Sequence, residues 1–188
     1  DPKWVVYSRL YTEQLLNFLP KKVIEMLPVF DVIPQVGSAK GALGSYNYAS
    51  KELKLNTSSL TQAIDRKQTI FHELVHWVHL HGPASYYTLI KDHFTARTAG
   101  EAVAQLPGYG PKSVGKKDQF PDSYMGRMYG NGTHYLDYGC EIPTRMMELL
   151  ADPVALADHW NNPTHRETME LVYSIMLEPA APAAATTP

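Results

Sequence analysis

Apolar side chains recur at helical spacing in several blocks of the chain and alternate with polar ones in another. Leu10, Leu15, Leu16, Phe18, Leu19, Val23, Ile24 and Leu27 form an amphipathic helical lead-in, and Pro20, which has no amide hydrogen to donate, predicts a bend within it. A short strand is expected at residues 29–33. Leu53 and Leu55 alternate with polar neighbours behind the turn formers of residues 47–50, which predicts a strand, turn and strand over residues 44–56. Ile70, Phe71, Leu74, Val75 and Val78 cover most faces of a helix over residues 65–81, with Asp65 as its candidate cap and Gly82-Pro83 as its stop. A further helical pattern runs over residues 86–105, and the Gly-, Pro-, Tyr- and Lys-rich stretch 106–139 predicts irregular chain bordering a cleft. Ile142, Met146, Leu149 and Leu150 then stripe a helix over residues 141–153, with Pro143 in its first turn and Asp152-Pro153 as its stop.

The chemistry is concentrated in the most apolar of these helices. His72-Glu73-x-x-His76 places two imidazoles one turn apart on one face, where both can bind a single Zn²⁺. Glu73 projects about 100° around the axis from His72, within reach of a water at the metal without being a ligand itself. Burying that carboxylate beside two histidines in an ordinary core would be costly, so the context favours a site over a packing motif. His79 shares the face, yet it stands about 10.5 Å along the axis from His72 and cannot join the same ion. Histidine at 79 and glycine at 82 also exclude the longer motif that carries its third histidine on the same segment. His79 is therefore expected as a cleft-wall or supporting residue, and His81 as a surface one near the helix end.

A third ligand must come from elsewhere, and the helix over residues 141–153 offers Glu141, Glu148 and Asp152 on one strip with Arg145. Glu148, mid-helix and rigidly held, is the expected ligand, with Glu141 as the alternative nearer the helix start. Asp152 is expected to accept a hydrogen bond from the free ring nitrogen of a zinc-bound histidine.

His72-Glu73-x-x-His76 followed by Glu148-x-x-x-Asp152 resembles the gluzincin class of zincin metallopeptidases, in which a second helix supplies a glutamate ligand and an acidic neighbour one turn on. Residues 44–56 are similar to the strand, turn and strand that precedes the active-site helix in many zincins, whose edge strand pairs with an extended substrate. Ser123-Tyr124-Met125-Gly126-Arg127-Met128-Tyr129-Gly130, together with residues 141–153, is similar to metallopeptidase-like domains attached to phage structural proteins and to delivered toxins. The resemblance implies an α+β, zincin-like fold: a small mixed sheet with an edge hairpin packed on the active-site helix, then a mainly helical lower part carrying the third ligand.

Length and composition narrow the picture further. At 188 residues and 44% hydrophobic content the chain suits one catalytic domain, expected over residues 1–178, with the Pro/Ala/Thr-rich residues 179–188 as a linker or tail. A net charge of -2 gives no electrostatic footprint for nucleic acid or an acidic membrane. No segment is apolar for long enough to span a bilayer, and no signal peptide is visible. Asp1 in place of an initiator methionine suggests a processed product or excised fragment, and the tail hints at further protein, so a virion-associated or delivered location is compatible with the chain. The single cysteine, Cys140, excludes an internal disulfide and reads as a small packing residue.

The expected function is zinc-dependent endopeptidase chemistry: a metal-activated water hydrolyses a peptide bond in a protein or peptide substrate, with Glu73 as general base. Tyr129, His134, Tyr135 and Tyr138 are the candidates to stabilise the oxyanion. The competing expectation is a structural or tethering module of a larger phage or secreted assembly that keeps the fold, or zinc for stability, without turnover.

Overall fold

The stripe of Ile70, Phe71, Leu74, Val75 and Val78 sets the architecture, because a helix apolar on most sides must be covered on most sides. In the computed structural model, which describes residues 2–35, 43–60, 62–110, 112–116, 119–129 and 140–177, all five are buried. The predicted tail, residues 179–188, and the candidates His134, Tyr135 and Tyr138 lie outside the described residues.

The chain opens with helices α1 (Pro2–Leu16) and α2 (Lys21–Ile24), separated at Pro20 as its missing amide predicts. Strand β1 (Asp31–Gln35) follows, two residues later than the apolar run suggested. Strands β2 (Gly44–Asn47) and β3 (Glu52–Asn56) form the expected hairpin. Its turn is fixed by Asn47, whose Oδ1 accepts from the amides of Ala49 and Ser50, and by Lys51 in the left-handed region at φ 54°. Leu53 and Leu55 are both fully buried, so their alternation did mark the inner face. β3 lies in the centre of a mixed sheet, parallel to β1 and antiparallel to β2, which leaves β2 as an edge strand.

Helix α3 (Ala63–His81) carries the histidine motif and packs against α1, against β2, and most extensively against α5 (Glu141–Glu148). Its capping position is Gln62; Asp65 sits inside the first turn, where its charge still suits the positive helix end. Helix α4 (Ala84–Arg97) stops well short of the expected residue 105. Thr98 turns its hydroxyl back onto the Phe94 carbonyl at 2.8 Å, and Gly100 adopts φ 79°, which ends the helical path. The chain then forms a second small antiparallel sheet from β4 (Ala104–Gln105), β5 (Val114–Gly115) and β6 (Arg127–Met128), with a 3₁₀ turn at Ser123–Gly126 before the last strand.

Beyond α5, a 3₁₀ turn at Leu149–Ala151 leads into α6 (Pro153–Asn161) and α7 (Pro163–Leu177), which pack on each other while α7 also covers α5. Asp152-Pro153 is thus a start as much as a stop. Asp152 Oδ1 accepts from the amides of Val154 and Ala155, and Pro153 occupies the first turn. The architecture is mixed α+β, with two small sheets and a helical second half. No helix among the described residues is long and apolar enough to cross a membrane.

Candidate metal centre

One turn of α3 brings the rings of His72 and His76 to 4.9 Å between centroids, nearly perpendicular at 83°. Helix α5 crosses α3 with its first residue over this turn. Glu141 Oε2 lies 3.2 Å from His72 Nε2 and 3.5 Å from His76 Nε2. Two imidazole nitrogens and a carboxylate oxygen, all within 4.8 Å of one another, form a group that could hold a metal ion. The mixed nitrogen and oxygen donors suit Zn²⁺, and other divalent first-row metals share that preference.

The two histidines hold Glu141 ionised. The residue is fully buried, which alone would favour the neutral acid, yet His76 and His72 outweigh burial and keep its pKa well below the ordinary carboxylate value. Its outer oxygen, Oε1, accepts from the Tyr129 hydroxyl, and Thr144 Oγ1 lies 3.0 Å from Oε2. A buried carboxylate with this many partners has one orientation.

The expected third ligand, Glu148, does not join this group. Two helical turns along α5 from Glu141, it meets the opposite side of the His72 ring, where Oε1 accepts from Nδ1 at 2.5 Å. That contact turns the ring so that His72 Nε2 faces Glu141. Glu148 is itself held by Arg145, whose guanidinium also grips Asp122 at 2.7 Å, so a relay of charges runs Asp122, Arg145, Glu148, His72. Burial lowers the His72 pKa, but the two carboxylates more than reverse this and lift it to about 10. The supporting role expected of Asp152 therefore belongs to Glu148, and Asp152 is spent on capping α6.

Glu73 points to the other side of the cleft, buried against β2. A methyl group at Gly44 would stand 3.0 Å from Glu73 Cγ and 3.1 Å from its Oε1, so the strand runs close enough to the acid that any side chain there would press on it. The Tyr46 amide hydrogen-bonds the Glu73 carboxylate. Asn56 N–H donates to the Leu43 carbonyl at 2.8 Å, and antiparallel alternation then turns the peptide groups of Gly44 and Tyr46 toward the open edge, which is how that amide reaches Glu73. Burial, the largest influence, raises the Glu73 pKa.

Two hollows meet at this point. One, of about 410 Å³, is lined by Tyr46, His76, His79, Arg127, Tyr129 and Glu141 among others; the second, of about 310 Å³, by Thr69, Tyr109, Arg145 and Glu148. Both share Gly44, His72, Glu73 and Tyr124, so a continuous cleft passes the candidate base. His79 lines this cleft as expected, stacked on Tyr87 at 4.3 Å. His81 is held between two residues of the hairpin, bonded to the Tyr46 hydroxyl at 3.0 Å and stacked on Tyr48 at 4.9 Å, and is less of a surface residue than expected. Of the oxyanion candidates, Tyr129 is at the site but is committed to Glu141. Tyr124 and Arg127, which belong to the segment 123–130 that carries the second resemblance but had no role expected of them, complete the wall: Arg127 donates to the Tyr124 hydroxyl. The likeness of that segment to metallopeptidase-like domains is the signal that pointed toward them.

No family model, no curated protein and no solved structure matches this chain. The likeness to gluzincins accordingly stands on its residues alone, and of those Glu148 and Asp152 do not take the places it implied.

Proposed function

We propose that the protein is a zincin-type, zinc-dependent endopeptidase. The observation that carries this reading is the pairing of a convergent His72, His76, Glu141 group with a separate buried carboxylate, Glu73, on the same helix turn. Three protein donors leave room for a reacting oxygen, and a fourth acid held apart from them is free to move a proton.

His72, His76 and Glu141 would hold the ion, which when bound supplies Lewis acidity and a water of lowered pKa. Glu73 takes the proton from the attacking water and returns it to the leaving amine; its raised pKa favours both halves of that exchange. The Tyr46 amide keeps the Glu73 carboxylate aimed into the cleft. Gly44 and Tyr46, with peptide groups on the open edge of β2, offer an extended peptide a strand to pair with. Tyr124, whose ring lies 6.2 Å from that of His72 and whose pKa is raised by burial, keeps its O–H and can donate to the developing oxyanion.

The experiment is direct. Purified protein is loaded with zinc and assayed on casein, with and without a chelator, beside Glu73→Gln. Chelator-sensitive cleavage that Glu73→Gln abolishes while its zinc content stays stoichiometric supports the reading. Bound zinc with no cleavage of any unstructured protein would replace it with a structural or tethering module.

A further inference from the structure

Arg127 is an arginine in the wall of the candidate active-site cleft that meets no carboxylate among the described residues. Arg145, across the cleft, is neutralised by Asp122 and Glu148. Among the described residues Arg127 instead has one hydrogen bond, to the uncharged Tyr124 hydroxyl, and two aromatic faces, with its guanidinium carbon 4.4 Å from the Tyr129 ring centre and 5.1 Å from that of Tyr124. Rings hold the cation in place without consuming its remaining N–H donors.

Its distance from the chemistry is short. Tyr124 and Tyr129 hydroxyls are 3.5 Å apart, and Tyr129 is bonded to Glu141, so the guanidinium stands two hydroxyls from the candidate ligand. A divalent ion in the site would draw on the Glu73 and Glu141 charges, which leaves Arg127, facing the same hollow, without a paired carboxylate among the described residues. A half-buried guanidinium whose remaining forked donors meet no described residue calls for an anion, and a planar carboxylate matches it in shape.

We infer that Arg127 anchors a carboxylate of the substrate beside the reacting bond, so that the protein prefers peptides presenting negative charge there. The carboxylate is either the free C-terminus of the peptide or an acidic side chain; the chemistry at Arg127 is the same. The inference rests on the hydrolytic reading of this site, and the test separates the two.

Zinc-loaded Glu73→Gln protein is titrated calorimetrically with three N-acetylated peptides of one backbone sequence. One has a free C-terminus and an internal Gln, one is amidated with the same Gln, and one is amidated with Glu in place of Gln. At least one carboxylate peptide should bind about tenfold more tightly than the uncharged one. That advantage should vanish when Arg127→Gln is added and persist in part with Arg127→Lys, which keeps the charge but not the fork. An advantage for the free terminus identifies the peptide end as the anchor; an advantage for Glu identifies the side chain. Equal binding of all three, no binding, or an advantage that survives Arg127→Gln overturns the inference. Should Arg127→Gln fail to fold, as judged by its thermal melt, Arg127→Lys and the peptide comparison on the Glu73→Gln protein still decide. Turnover of the same peptides by the wild-type protein is the separate readout. Arg127-dependent binding without turnover would defeat the hydrolytic reading alone, and turnover indifferent to charge would defeat the carboxylate anchor alone.

Discussion

Tyr129 donates its hydroxyl hydrogen to Oε1 of Glu141, while Oε2 of the same carboxylate faces His72 and His76. The phenol therefore decides which oxygen is offered to an ion. Tyr129→Phe would leave Oε1 buried without its donor and free the carboxylate to rotate, which is the loss expected on removing a partner behind a ligand. Zinc affinity, measured by competition with a chromophoric chelator, should fall about 10-fold to 100-fold. Unchanged affinity would show that Thr144 and the histidines orient Glu141 unaided.

The two glutamates of α5 should behave differently when neutralised. Glu141→Gln removes a charge from the convergent group and should abolish stoichiometric zinc binding. Glu148→Gln should keep the metal at about 10-fold to 100-fold lower affinity, because it removes the charge facing His72 Nδ1 and Arg145 and leaves the convergent group intact. Metal content after dialysis, read by atomic absorption, distinguishes them. The reverse ranking would reinstate Glu148 as the ligand and remove Glu141.

What the residue order revealed is what short-range geometry controls. His72, Glu73 and His76 on one helix and the hairpin at residues 44–56 each depend on spacing within one element, and each element is where the pattern put it. The third ligand depends on how α5 crosses α3, a tertiary relationship with no periodic signature. Glu141 and Glu148 lie two turns apart on one helix, so both were eligible until the crossing placed the first at the Nε2 atoms and the second at Nδ1. Tyr124 and Arg127 had only the resemblance of residues 123–130 to mark them, for a related reason: they lie on a 3₁₀ turn and a two-residue strand, where no periodicity marks a side chain's direction.

Asp152 shows the same limit from the other side. Its spacing from Glu148 suggested support for a ligand, but it caps α6 through the Val154 and Ala155 amides. Asp152→Ala should cost about 0.5–2 kcal/mol of stability in a denaturant melt and leave zinc affinity unchanged. A drop in metal affinity at constant stability would restore the role beside the metal.

Gly44 carries the closest approach between the edge strand and the base. An added methyl would press on Thr69 Cγ2 and Glu73 Cγ, each at 3.0 Å. Because Glu73 is buried and tied to the Tyr46 amide, it has little room to yield. Gly44→Ala should keep zinc, whose candidate ligands it does not touch, and lower kcat by about 10-fold to 100-fold through a displaced carboxylate. Full activity in this variant would mean that proton transfer tolerates a shifted Glu73, and would weaken its assignment as the base.

His79 makes the stability of the fold depend on acid. Its ring is nearly inaccessible and stacked on Tyr87, and neither nitrogen has a hydrogen-bond partner among the described residues. Burial, with a smaller contribution from His76, holds its pKa down at about 3 against an ordinary value of 6.5, despite the opposing influence of Glu141. The unfolded chain therefore takes up a proton near pH 6.5, and the folded protein only near pH 3. Between those values the unfolded state binds more protons, so this residue removes stability as pH falls through the window and contributes no slope above it. The slope is at most about 1.4 kcal/mol per pH unit for one proton. His79→Phe keeps a flat ring against Tyr87 but cannot be protonated. Thermal melts of the two proteins should run in parallel above pH 6.5 and diverge below it, with the variant losing less stability on acidification. Parallel curves from pH 7 down to pH 4 would mean that the folded protein admits the imidazolium, through water or a shift of the ring toward the cleft it lines.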